Sequence, residues 1–167
     1  MFVTEFHGTE TVHLDVPAAE VFDLLVDVDR LPDWNEHVHH VIEQPDGPLT
    51  EGVEWVIQLR AMGTRWPCRS RALTVDRSRL LFEHRSCGDD GNPSYVLWSW
   101  QLTPTPDGSM LTVTWTAHPA TWRPVLADEV QASLAGLGDH LHAHCQPGST
   151  ENSLPSGSDS LTEPTRP

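Results

Sequence analysis

The sequence predicts an α+β fold: consecutive antiparallel strands that turn one apolar face toward a long helix near the C-terminus. Three observations predict it. Apolar and polar residues alternate in seven short runs separated by turn-forming residues, the two-residue period of half-buried strands. Helical spacing interrupts these runs in one place, directly after the first of them. Near the end, Leu126, Val130, Leu134, Leu137 and Leu141 step by four, four, three and four, which makes one apolar ridge of about four turns. Such a ridge must be covered, and the strand faces are the apolar partners available.

The elements follow in order. In residues 9–16, Val12, Leu14 and Val16 share one face of a strand. Pro17 suits the first position of a helix, and Val21, Leu24, Leu25 and Val28 recur at helical spacing beyond it. Pro32 disfavours a helical Leu31, so a break is expected at 29–32 and a second short helical turn at 33–36. Strands are then expected at 38–44, 53–60, 66–75, 80–86, 95–102 and 111–117. Pro45-Asp46-Gly47-Pro48 and Thr103-Pro104-Thr105-Pro106-Asp107-Gly108 make connections between them. From 146 to 167 the chain is mostly Ser, Pro, Thr and Gly. That composition cannot bury enough surface to offset its ordering entropy, so one domain over 1–145 and a disordered tail over 146–167 are expected.

Bulk chemistry narrows the function classes. The formal net charge is -14, and all ten basic residues are arginine, which disfavours nucleic acid and anionic membrane surfaces as partners. The absence of lysine removes Schiff-base and Walker-type chemistry. Cys68, Cys87 and Cys145 show no CxxC spacing, so reduced thiols and a cytoplasmic location are expected. No apolar run approaches the ~20 residues of a membrane span, so membrane insertion is not expected. No motif demands a cofactor. His140 and His144 stand four apart, but no HExxH pattern or third ligand accompanies them, and no metal is expected. The same holds for His37, His39 and His40. A monomer or homodimer is expected.

The run Val16-Pro17-Ala18-Ala19-Glu20-Val21-Phe22-Asp23-Leu24-Leu25, continuing through Asp27-Val28-Asp29-Arg30-Leu31-Pro32-Asp33-Trp34-Asn35, resembles the polyketide cyclase/dehydrase family of the START-like (SRPBCC) superfamily. Arg71-Ala72-Leu73-Thr74-Val75-Asp76, Leu80-Leu81-Phe82-Glu83 and Trp98-Ser99-Trp100 match it by pattern. The resemblance covers about residues 9 to 143. It implies a helix-grip fold, in which a seven-stranded curved antiparallel sheet wraps around the long C-terminal helix, with two short helices after strand 1 and a cavity between sheet and helix.

Site candidates come from the strand faces. Trp98 and Trp100 share a face with Val96 and Leu102; Trp115 shares one with Leu111, Val113 and Ala117. Trp55 opens another apolar face, and Trp34 stands at the helix corner. Indoles combine apolar area with one donor, so this cluster suits either an aromatic pocket or ordinary core. The resemblance favours Trp98 and Trp100 as pocket walls. Arg69 and Arg71 share a phase with Leu73 and Val75; facing inward they would bind a carbonyl, enolate or carboxylate, and a one-residue slip would put both in solvent. The resemblance places a cyclase arginine on this strand, which Arg71 or Arg69 would match. His84, on a face with Phe82 and Ser86, is a candidate general base or a half-buried hydrogen-bonded histidine. His118 ends the last strand near the implied pocket mouth. Leu126, Val130 and Leu134 would close the pocket from the helix.

These readings lead to one expected function: binding of a small hydrophobic or aromatic metabolite, lipid or polyketide-like, in an internal cavity. The alternative is a polyketide cyclase, aromatase or dehydratase acting on a poly-ketone in that cavity, with Arg71 and His84 as its catalytic residues. A protein-interaction role of the chaperone-activator type ranks third, since Trp34 stands alone at its corner.

Overall fold

Alternation carries the chain into its first strand, β1 (Phe6–Leu14), in a computed structural model that describes residues 5–35, 37–61 and 63–118. Pro17 precedes α1 (Ala18–Leu25) rather than opening it, and its carbonyl accepts the Glu20 and Val21 amides. Val21, Phe22, Leu24 and Leu25 form the buried side of α1. The break comes at Val26 and Asp27, earlier than expected. A 3₁₀ turn at Val28–Arg30 runs on into α2 (Leu31–Trp34), so Leu31 is helical after all. Pro32 is tolerated because it lies in the first turn, where an amide would have no intrahelical acceptor.

Six further strands follow: β2 (Val38–Glu43), β3 (Glu54–Ala61), β4 (Thr64–Asp76), β5 (Leu81–Gly88), β6 (Tyr95–Thr105) and β7 (Gly108–His118). They form a seven-stranded antiparallel sheet in the order β1-β7-β6-β5-β4-β3-β2, so each strand from β2 to β7 pairs with its sequence neighbour and β1 closes on β7. The sheet is curved. The β6–β7 connection is tighter than composition suggests: pairing persists to Thr105 and Gly108, leaving Pro106 and Asp107 as the loop. Gly108 has φ +153, and a Cβ there would lie 2.0 Å from the Leu14 carbonyl, so the hairpin requires glycine at this point.

Register fixes which residues share the inner face. One row crosses the sheet as Gly8, Trp115, Trp98, His84 and Ala72; the next is Glu10, Val113, Trp100, Phe82 and Val75. A third row holds Phe6, Ala117, Val96, Ser86, Ser70 and Trp55. Helix α1 covers the end of this face formed by Leu14, Leu102, Leu111 and Phe82, and together they make the core. Gly8 has a steric reason. The Trp115 ring lies over it so closely that an added Cβ would sit 1.7 Å from the indole.

The expected ridge of Leu126, Val130 and Leu134 and the expected tail over 146–167 lie outside the described residues. Among the described residues, no helix is long and apolar enough to cross a membrane.

Candidate functional site

The inner face divides into two zones. Under the helices, Phe82, Trp100, Leu102, Leu111 and Val113 are buried. Toward the other end of the same strands, Phe6, His84, Ser86, Val96, Trp98 and Ala117 remain half-buried although they occupy the inner rows.

His84 lies where the zones meet. Its ring stacks with Phe82 at 5.0 Å, Trp98 at 6.0 Å and Trp100 at 6.3 Å, and Trp55 tilts against it at 5.6 Å. Desolvation by these neighbours pushes its pKa down to about 3. The hydrogen bonds agree with a neutral ring. Trp100 Nε1–H donates to His84 Nε2 at 3.1 Å, so the ring proton belongs on Nδ1, which faces Ser86 Oγ at 3.2 Å. Ser86 Oγ is in turn hydrogen-bonded to Ser70 Oγ at 2.8 Å. Beside the serines, burial raises the Cys68 thiol to about 12, so it stays protonated and is no nucleophile at neutral pH.

Two donors on this face are left over. The Nε1–H groups of Trp34 and Trp55 are buried and have no hydrogen-bond partner. Trp34 meets Trp100 edge-on at 6.0 Å, and Trp55 stacks on Phe82 at 6.3 Å, so the two indoles flank the His84–Trp100 pair from different elements. A buried donor without an acceptor costs roughly 1–3 kcal/mol, and native structures keep few of them.

The family described as polyketide cyclase/dehydrase and lipid transport matches residues 5–142. The chain belongs to this family. No curated protein matches it closely. Among solved structures, it is similar to the Zhui aromatase/cyclase from Streptomyces sp. R1128, with a TM-score of 0.68 at 18% identity over 84% of this chain and 94% of that one. A START superfamily protein from Mycobacterium smegmatis gives a TM-score of 0.68 at 14% identity, covering 83% of this chain and 96% of that one. Ara h 8.0201 gives 0.68 at 18% identity, covering 85% and 98%. At these identities the structures establish the shared fold, and the resemblance drawn from the Val16–Asn35 motif agrees with the family match.

Within this family member, six of the expected site residues come together: Trp34, Trp55, Phe82, His84, Trp98 and Trp100. Trp115 lies in the same row as Trp98 and His84, on its β1 side. Arg69 and Arg71 do not join them, and the inward expectation is corrected. The inner residues of β4 are Cys68, Ser70 and Ala72, and a bulge between Ala72 and Thr74 then resets the phase so that Val75 faces inward. Leu73 is pushed outward, 39% exposed, and extrapolating back from Val75 therefore selects the wrong face.

Arg69 instead binds Asp89 through Nε at 3.0 Å and NH2 at 3.2 Å, and reaches Glu43 at 3.1 Å and Glu54 at 3.5 Å. Asp89 foremost, and Glu43 with it, raise its pKa further. Arg71 is exposed. His118 is also corrected: it stacks on Tyr95 at 4.4 Å and approaches Glu5 at 3.6 Å, opposite in phase to Ala117. For His84, the Nε2 lone pair that a general base would use accepts from Trp100, and burial lowers its pKa far below neutral. Leu126, Val130 and Leu134 fall outside the described residues.

Sequence reading missed Ser70 and Cys68. The signal that finds them is pairing: Trp55 and Ile57 define the inner face of β3, and Ser70 and Cys68 sit opposite them. It also missed Glu10, the carboxylate in the Val113–Trp100–Phe82 row. Among the described residues, no three His, Cys, Asp or Glu side chains form a group able to hold a metal.

Proposed function

We propose that this protein binds a small hydrophobic or aromatic molecule, lipid or polyketide-like, against the half-buried zone of the inner face. The ligand stacks along Trp98 and His84, between Trp55 and Trp115. The observation that carries this reading is the zone itself. Aromatic and apolar residues in the middle of a sheet's inner face keep accessible surface there, while Phe82, Trp100, Leu102, Leu111 and Val113 farther along the same strands are buried. An apolar wall with a few polar points is the usual lining of a small-molecule site. The test is a titration of the full chain with the neutral fluorophore N-phenyl-1-naphthylamine, following tryptophan quenching and probe emission. One saturable site is expected, weakened at least tenfold by Trp98→Ala; unsaturable emission unaffected by that substitution counts against an internal site.

The second reading is a polyketide cyclase, aromatase or dehydratase, supported by the family description and by the fold of the aromatase/cyclase. In the described rows Glu10 is the side chain suited to moving a proton, since His84 and Cys68 are each held in one protonation state at neutral pH. This reading therefore requires Glu10→Gln to abolish turnover of a poly-ketone while leaving probe binding intact.

A further inference from the structure

We infer that the ligand carries a cationic group, a protonated amine, which pairs with the Glu10 carboxylate beside the aromatic zone. The inference rests on the binding reading above and makes it more specific. Strand phase sends Glu10 inward: Thr9 and Thr11 on either side of it are exposed and meet Thr114 and Thr112 on the outer face. Glu10 itself is half-buried, opposite Val113 and in one row with Trp100 and Phe82. On the same face of β1, the Trp115 ring lies over Gly8. Residues two apart in a strand stand roughly 7 Å from each other, so an indole borders the carboxylate. Trp98 pairs with Trp115 and stacks on Trp100 at 5.9 Å, which continues the rings from there across the sheet.

Among the described residues, no side chain answers this charge. Glu10 makes no hydrogen bond or ion pair with them. The described arginines are exposed, except Arg69, which the carboxylates of the outer face hold. His84, the imidazole of the inner rows, is kept neutral by burial, and its Nε2 accepts from Trp100. Water is therefore what serves the carboxylate, and a ligand lying along Trp98 and Trp115 displaces it. A neutral apolar ligand leaves the anion uncompensated, and an anionic one adds repulsion. A hydroxyl donates to the carboxylate but does not balance its charge. An ammonium does both, through a charge-assisted hydrogen bond, and the neighbouring indole faces attract the same cation. The face thus selects its ligand by charge as well as by apolar outline.

Three probes share a naphthalene body and differ in head group: 2-(1-naphthyl)ethylamine, protonated at neutral pH, 2-(1-naphthyl)ethanol and 1-naphthaleneacetate. With the full chain at ~0.15 M salt, the amine is expected to bind about tenfold or more tighter than the alcohol, and the acetate to bind weakest. Glu10→Gln should bring the amine to within about threefold of the alcohol. Glu10→Asp, which keeps the charge, should retain most of the preference. The preference is a ratio within one variant, so a loss of stability common to the probes cancels. Glu54→Gln removes the same charge from the outer face and should leave the preference intact, which separates a local pair from attraction by the net charge of -14. The cation inference is wrong if amine and alcohol bind alike, if the preference survives Glu10→Gln, or if Glu54→Gln erases it equally; saturable binding of the neutral fluorophore then keeps the cavity reading standing. If neither these probes nor that fluorophore saturate, the cavity reading itself fails and takes this inference with it.

Discussion

The two faces of the sheet solve the problem of polar groups in opposite ways. On the outer face of β2–β5, Arg69 gathers Glu43, Glu54 and Asp89, a charge network in contact with water. The outer face of β1 and β7 carries side-chain pairs such as His7–Thr116 and Thr9–Thr114. On the inner face, a short chain of neutral groups runs among aromatic rings, Glu10 is the one carboxylate in the rows described, and two buried donors are left unpaired. Groups in water can be rearranged at little cost, whereas groups among rings cannot, so an unsatisfied atom on the inner face carries information that an exposed charge does not.

The largest expected effect lies inside. Trp100→Ala removes a buried ring and leaves His84 Nε2 without its donor, so urea denaturation should record a loss of about 3–5 kcal/mol. A loss under about 1 kcal/mol would erase the distinction between the faces.

A pH titration sharpens it. In the fold His84 stays neutral down to about 3, whereas in the unfolded chain it takes up its proton near 6.5. Its contribution is therefore complete above about 6.5 and is lost progressively as the pH falls from there toward 3. Stability should decline by up to a few kcal/mol over that window, at no more than ~1.4 kcal/mol per pH unit. In His84→Phe the part of the decline between 6.5 and 4.5 should vanish. The carboxyls of Asp76, bonded by Ser78, and of Asp107, bonded by Thr105 and His13, are held below their ordinary range and act at lower pH.

The smallest effects belong outside. Arg69→Ala should cost less than about 1 kcal/mol, with most of it gone in high salt, and Arg71→Ala should be nearly neutral. Neither should alter probe binding; a large loss of affinity in Arg71→Ala would return an arginine to the site.

Much of this was legible along the chain, and the failures have local causes. The strand faces of Trp55, Phe82, Trp98, Trp100 and Trp115 follow from period-two alternation, because those strands run without interruption through the relevant residues. Arg69 and Arg71 were misplaced because a single extra residue near Leu73 reverses the phase, and nothing in the local composition marks a bulge. The early break before the 3₁₀ turn was missed because Pro32 draws the eye to the wrong residue.

Sequence alone determined the alternating strands, the helix begun after Pro17, the stock of indoles and the absence of lysine, since these depend on residue type and spacing. Only the tertiary structure decided that His84 accepts from Trp100 inside an aromatic cluster, and that two of the buried indole donors have no acceptor. Those facts depend on which atoms meet across strands distant in sequence, and pairing of that kind is set by register and bulges, not by the residues of any one segment.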